Sequence, residues 1–491
     1  MLSQKKAILK QINRLLLFSL LISAVWPAAA SVNNSIANKL PELGASPSVI
    51  PASQEYALGR AWLAAFRQQA PISTDVNTVD YLEHLIFHLV PYATMDTYKI
   101  LPVVVQSNDI NAFAVPGGVV GINTGLVLHT DTEDQIASVL AHELAHLSER
   151  HFARSVQAQK NNMVPTMLAM LTGIVAIAAG EGDAGIAAIT AGQAVSLQNQ
   201  LKYSRQHERE ADRTGIAVMA DAGYQPTAAA EMFKIMLDNA RLNRSKQYSF
   251  LSTHPITEAR VADARNRAEE LNISESTKPS NDFEFIKAAE TVKQFKFPRA
   301  AIEYFSQEDG INFTAPARQY GLAIAYLEDQ QATKAKLILQ QLLESDPERI
   351  LFWVSYGQSL AKSGHITEAI NWLDQKYRYN PFNYPIAYTY AVVLEQDRQY
   401  QSAQTVLQRL SERRPFDPNV WYRLAEVSGL GQDIHGLHRA RAEYFVLLGN
   451  YRSAERQLLF LLDDVNLSDN NRAVAEQRLQ DIRRQQALAA F

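Results

Sequence analysis

The chain has 491 residues, 47% hydrophobic and 20% charged, with a formal net charge of −4. That length calls for two or three domains, and the near-balanced charge with no basic run excludes a nucleic-acid binder. There is no cysteine, which excludes a disulfide framework and a lipid-anchored cysteine.

The N-terminus runs basic, apolar, small. Lys5, Lys6, Lys10 and Arg14 precede LLLFSLLISAVW, and the alanines at 28–30 offer a cleavage site, the order of a secretory signal peptide. The apolar core is about twelve residues, short for a membrane span. Cleavage near Ala30 removes four positive charges and moves the net charge from −4 to about −8. An exported, cysteine-free chain of this size fits a bacterial periplasm. Residues 31–50 form a polar segment.

Residues 51–70 and 75–92 read as helices. β-type runs follow at 100–106 and 111–129, punctuated by Gly117, Gly118, Gly121 and Gly125. An edge strand is expected near 117–123, where an extended chain would pair by β-addition. A helix is predicted over 132–151, with Thr130 and Thr132 as N-cap candidates and Glu133 at capping-box spacing from Thr130.

That helix carries His142-Glu143-Leu144-Ala145-His146. Positions i and i+4 share a face, so both imidazoles reach one ion at about 2.0–2.1 Å. Glu143, next to the first ligand, is set to act as general base on a metal-bound water. A catalytic zinc needs a third protein ligand. His151 does not supply it by the helix-extended pattern, because Glu149 and Phe152 stand where that pattern has glycine and histidine. HLIFH at 84–88 also places two histidines one turn apart, but lacks the glutamate and reads as structural.

Residues 161–180 are uncharged and mostly apolar, and a second apolar run follows at 184–197. Pro165 and Gly173, and the short, partly polar second run, favour a helix or mobile lid over the active site above a membrane contact. The third ligand is expected in HEREAD, 207–212. On a helix Glu208, Ala211, Asp212, Gly215 and Met219 share one face, while Glu210 falls on another with Thr214 and Ala217. Glu208 is the predicted ligand, and Asp212, one turn on, orients a zinc-binding histidine. His254, in STHPITEAR and directly before Pro255, is expected in a turn. Two roles are open to it. It stabilises a developing oxyanion, or it occupies zinc's fourth position and keeps the site silent until its loop moves.

After a linker-like stretch at 273–282, a period of 34 appears. Pro347, Pro381 and Pro415 obey it, as do Ala301, Ala335, Ala369 and Ala403, and Ala289, Ala323, Gly357, Ala391 and Ala425. Small residues let two helices approach and the proline ends each pair, the tetratricopeptide arrangement. The phase slips after 425, and Ala442 and Ala454 resume it half a repeat out; an extra helix near 419–430 would account for that.

NAFAVPGGVVGINTGLV, VLAHELAHLSERH, EREAD and STHPITEAR occur in the order found in zinc metallopeptidases of the HtpX and CAAX-prenyl-endopeptidase superfamily, which residues 51–270 resemble. With its repeats, nearly the whole mature chain resembles a soluble, exported branch of that superfamily. The resemblance implies one Zn²⁺ on His142, His146 and Glu208, with Glu143 as general base. It also implies a periplasmic protease and chaperone in the quality control and assembly of outer-membrane β-barrel proteins. The implied partners are the outer-membrane β-barrel assembly machinery, the lipopolysaccharide-transport barrel and misfolded protein substrates; peripheral membrane contact is open. Membrane relatives carry hydrophobic helices where this chain has the weaker signal at 161–197.

The expected fold is mainly α: a signal peptide at 1–30, a gluzincin-type metallopeptidase domain with a small β-sheet at 51–275, and a tetratricopeptide α-solenoid at 276–491. The rival reading is a non-catalytic chaperone or scaffold that binds assembly partners through its repeats around a structural zinc. Structural zinc sites are closed by four protein ligands, often cysteines, and this chain has none.

Overall fold

The structure, a computed structural model, describes residues 51–95, 100–158, 196–242, 249–271, 282–307 and 312–489. The expected signal peptide, the run at 161–180, nearly all of that at 184–197 and the expected boundary near 275 lie outside the described residues. Among the described residues no helix is long and apolar enough to cross a membrane.

Helices α1 (Ala52–Arg67) and α2 (Val76–Leu89) come first, α2 capped by the Asp75 carboxylate, which accepts from the Asn77 and Thr78 backbone N–H groups. Strands β1 (Leu101–Val105), β2 (Ala112–Val115) and β3 (Val119–Asn123) form a sheet in the order β1-β3-β2, with β1 parallel and β2 antiparallel to β3. Gly117 and Gly118, with φ of 83° and 84°, make the β2–β3 turn. Side chains alternate across the sheet. Val103, Val105, Phe113, Val115 and Val119 pack on Trp62, Leu63 and Phe66 of α1. Val104, Ala112, Val120 and Ile122 enter the main core on the other face.

The expected edge strand near 117–123 is therefore corrected: β3 is central and buried throughout. The β2–β3 hairpin leaves one side of β3 open, and β1 covers it. The edges are β1 and β2. A second departure follows directly. The sequence from Thr124 to His129, part of the expected β-run, closes as helix α3 (Thr124–His129).

Helix α4 (Glu133–Ser148) carries the HExxH sequence. Its N-cap is Thr132, whose hydroxyl accepts from Gln135 N. Thr130 instead donates to the Leu126 carbonyl of α3, and Glu133 turns inward to accept from the Tyr81 hydroxyl. From Glu133 to Ala145 every residue of α4 is buried. It is the central rod of the domain, covered by α2, β2 and two later helices, and not an amphipathic surface helix. Helices α5 (His151–Ala158), α6 (Ser196–Asp221), α7 (Thr227–Leu242), α8 (Ser249–Thr253) and α9 (Glu258–Leu271) follow. Both α6 and α7 pack on α4, and α9 packs on α6 and α7.

The repeats begin with α10 (Phe283–Val292) and α11 (Pro298–Ser306). Next come α12 (Ala315–Glu328) and α13 (Ala332–Ser345), then α14 (Ile350–Lys362) and α15 (Ile366–Tyr379). They are followed by α16 (Tyr384–Gln396) and α17 (Tyr400–Arg413), then α18 (Pro418–Leu430) and α19 (Ile434–Leu447). Helices α20 (Tyr451–Leu462) and α21 (Asp469–Ala489) end the described chain. The small residues of the 34 period sit where helices touch: Ala323, Ala335, Ala369, Ala391 and Ala403 are wholly buried. The turn inside each pair carries one residue in the left-handed region, Gln330, Gly364, Arg398 and Gln432, again 34 apart. Gln432 shows that α18 keeps the register. The half-repeat shift comes one helix later, at Gly449 (φ 68°). The odd helix is thus α19, second partner to α18 and first partner to α20, and not the one expected near 419–430.

One hydrophobic core runs from α2 and α4 through α10 and α16 to α18. Polar contacts reinforce this closure of the solenoid on the domain that carries the sheet. Arg414 donates both terminal nitrogens to Glu83 at 2.6 and 2.7 Å while lying 3.8 Å over the Tyr384 ring. Arg67 donates to the Phe416 carbonyl at 2.8 Å, and Thr78 donates to the buried Glu290 at 2.6 Å. Bidentate geometry with little solvent makes Arg414–Glu83 stronger than an exposed pair. Arg414→Ala is expected to cost about 2–4 kcal/mol in denaturant unfolding, since it strands Glu83. In a double-mutant cycle Glu83→Gln should then add little further loss; full additivity would show that the pair does not hold the modules together.

Candidate metal centre

Helices α4 and α6 cross where side chains are smallest. Ala141, on α4, and Ala211, on α6, are wholly buried, and a Cβ at Gly215 would stand 3.0 Å from the His142 backbone nitrogen. This close approach lets Glu208 and Asp212, one turn apart on α6, reach across to His142 and His146, one turn apart on α4.

The donor atoms converge. His142 Nε2 and His146 Nε2 are 3.0 Å apart, and each lies 3.5 Å from a Glu208 carboxylate oxygen. His254, at the end of α8, brings its Nδ1 to 3.0 and 3.2 Å from the two Glu208 oxygens and 3.4 Å from His142 Nε2. One ligand atom from each of these four residues lies within 4.8 Å of all the others. His142 turns its other nitrogen to Asp212 Oδ1 at 3.0 Å. Glu143 is 1% exposed, and its buried Oε1 makes no hydrogen bond among the described residues, with His254 Nε2 standing 3.4 Å away.

Arg260, from α9, was not singled out from the sequence although it ends STHPITEAR. Its Nε and Nη2 donate to the two Asp212 oxygens at 2.7 Å, and its Nη1 stands 3.0 Å from Glu208 Oε2 and donates to the Pro255 carbonyl at 2.8 Å. Behind the cluster, His151 places Nδ1 2.9 Å from Nδ1 of His146, its ring stacked on His207. His151 is therefore a neighbour of a candidate ligand, on the side away from the converging atoms. The HLIFH histidines lie elsewhere: His84 is exposed, and His88 bonds the Ala222 carbonyl.

The electrostatics are those of a cation site. Burial works to raise the Glu208 carboxyl, but charge and hydrogen bonds from His254, His142 and His146 hold it well below the usual carboxylate range. Burial also works to raise Asp212, and bonds to His142 and Arg260 outweigh it and bring it down. Burial alone would depress His142, yet Asp212 and Glu208 push it up to about 10. His146, with burial dominant, falls to about 4. Two ionised, buried carboxylates thus face one buried guanidinium, and His142 reports the surplus of negative charge. Buried charge demands a partner. With imidazole and carboxylate donors and an orphaned Glu143 oxygen alongside, the residues fit a divalent metal.

Residues 79–268 match peptidase family M48, and residues 360–427 match a tetratricopeptide repeat. The chain is 30% identical to the β-barrel assembly-enhancing protease of Escherichia coli K12, over 97% of each chain. It is 33% identical to the Vibrio cholerae counterpart, over 89% of this chain and 90% of that one. Mitochondrial metalloendopeptidase OMA1 of Schizosaccharomyces pombe is 28% identical over 41% of this chain and 56% of its own.

Glu208 faces the converging nitrogens, whereas Glu210 points to His151 and Arg154 at 3.4 and 3.1 Å. Glu208→Gln is expected to weaken metal binding by more than about 100-fold, while Glu210→Gln still loads one ion per chain at saturation. Metal analysis of the two purified variants checks this; equal loss in both would remove Glu208 from the ligand set.

Proposed function

The chain belongs to peptidase family M48, and from that premise we propose that it is a zinc-dependent endopeptidase of the periplasm that acts on misassembled outer-membrane β-barrel proteins. The observation that carries the proposal is the convergence of His142, His146 and Glu208 beside the orphaned oxygen of Glu143. The name of its near-full-length relatives, β-barrel assembly-enhancing protease, supports the link to β-barrel assembly. The outer-membrane β-barrel assembly machinery and the lipopolysaccharide-transport barrel are the proposed partners, bound through the repeats.

His142, His146 and Glu208 hold the zinc, one ion per chain. Bound there, zinc supplies Lewis acidity that makes a water nucleophilic at neutral pH and polarises the scissile carbonyl. Glu143 takes the proton from the attacking water and returns it to the leaving amine. Asp212 Oδ1, 3.0 Å from His142 Nδ1, would draw the imidazole proton to that side, so that Nε2 keeps its lone pair for the metal. Arg260 holds Glu208 and Asp212 in one arrangement and offsets part of their charge. For His254 the plug reading is favoured over the oxyanion reading, because its Nδ1 sits among the ligand atoms themselves, within 3.4 Å of Glu208 and His142.

Glu143→Gln is expected to retain zinc and lose about 10²–10⁴-fold in kcat/KM on an unfolded protein substrate. If the variant cleaves as fast as the parent, the endopeptidase mechanism fails. His254→Ala should raise basal cleavage or self-cleavage. A fall would restore the oxyanion role, and an unchanged rate would take His254 out of the chemistry.

A further inference from the structure

We propose that His151 and Glu210 are positioning residues that fix the tautomer of His146 through a chain of hydrogen bonds. The inference rests on the zinc reading above and concerns side chains to which that reading gives no role.

His146 offers Nε2 to the converging atoms, 3.0 Å from His142 Nε2 and 3.5 Å from Glu208. A metal ligand must present a lone pair, so the proton of neutral His146 belongs on Nδ1. The atom facing Nδ1 is Nδ1 of His151, 2.9 Å away. Two imidazole nitrogens make a hydrogen bond only if one carries hydrogen and the other does not. His146 Nδ1–H therefore donates, His151 Nδ1 accepts, and the proton of neutral His151 is on Nε2. That nitrogen faces Glu210 Oε2 at 3.4 Å, an acceptor only, and Arg154 holds the same carboxylate at 3.1 Å. Each step permits one arrangement. Most zinc-bound histidines meet a carboxylate or carbonyl directly; here a second imidazole stands between.

The backbone is built to bring His151 there. Between α4 and α5 Arg150 adopts φ 51°, a left-handed conformation rare outside glycine, and its guanidinium donates to Glu55 at 2.9 Å. That reversal folds α5 back so that its first residue lies over the last turn of α4. The His151 ring is 4% exposed and stacks on His207 at 4.3 Å and 12°.

The test is zinc affinity, measured by competition with a chromogenic chelator on the full-length protein. His151→Phe keeps the ring stack and removes the acceptor; its zinc Kd is expected to rise about 10–100-fold. His151→Asn puts an amide oxygen near the place of Nδ1 and is expected to stay within about threefold of the parent. Glu210→Leu, at a half-exposed position that tolerates change, is expected to weaken zinc in the same direction but less. Melting of the metal-free proteins controls for folding. If His151→Phe does not fold, Glu210→Leu and ¹⁵N-histidine spectra of the zinc-loaded parent decide: His146 protonated at Nδ1 and His151 at Nε2 support the chain of bonds, and the reverse tautomers overturn it. A parent-like Kd for His151→Phe, or equal loss for Phe and Asn, overturns it too. A parent that binds no zinc would instead fail at the metal reading, a different result.

Discussion

Everything at the candidate site depends on how closely α4 approaches α6. Spacing within one helix places His142 over His146, but the distance to Glu208 is set by the crossing, and a glutamate has a short reach. At Gly215 a single added carbon would stand 3.0 Å from the backbone of His142. A pair of ordinary side chains there would push the helices apart by more than the tolerance of a metal site, which is a few tenths of an ångström. The burial of α4 on every side serves the same end. With α2, β2, α6 and α7 around it, the helix has no free face along which to shift.

The part of the site within one helical turn was legible in the sequence. HExxH and the face shared by Glu208, Ala211, Asp212 and Gly215 need only the 3.6-residue period, and the structure brings those residues together. Arg260 and His151 were not legible as partners, because each acts across a turn whose geometry the period does not give. For Arg260 that turn follows Pro255; for His151 it is the left-handed Arg150. The placing of the edge strand failed for a related reason. Alternation identified the strands, but which strand is central depends on β1 joining the hairpin in parallel, a long-range pairing with no local signal. Thr124–His129 is a helix of only six residues, too short for either period to leave a mark.

The repeats show the complementary case. Their period marked the helix pairs from α10 to α17 and on into α18, since each small residue is demanded by a neighbour close in sequence. Nothing in the period says where the solenoid rests. The pair Glu83–Arg414 spans 331 positions and the contact from Gln68 to Leu448 spans 380. Those contacts, with the shared core, make the repeat module a wall of the protein. Helix α16 packs directly on α2, and α2 on α4, so packed side chains link the repeats to the helix that carries HExxH.

That coupling bears on the plug reading of His254. His254 and Arg260 grip the same carboxylate from its two ends, His254 at Oε1 and Arg260 at Oε2, each at 3.0 Å. Withdrawal of His254 would thus leave Glu208 still oriented by Arg260, so opening the site need not disorganise the ligands. Arg260 also holds the Pro255 carbonyl at 2.8 Å, which pins the chain immediately after His254. The freedom to move then lies before it, in α8, where the Phe250 ring stacks on His254 with centroids 4.7 Å apart. Phe250 is 1% exposed and belongs to the main core. Drawing it out with His254 would cost about 1.5–3 kcal/mol of apolar burial. If His254 is the plug, a free-energy difference of that order would favour the closed state at rest, yet lies within what differential binding of a substrate or partner supplies. A plug held this way would open on engagement and close on release.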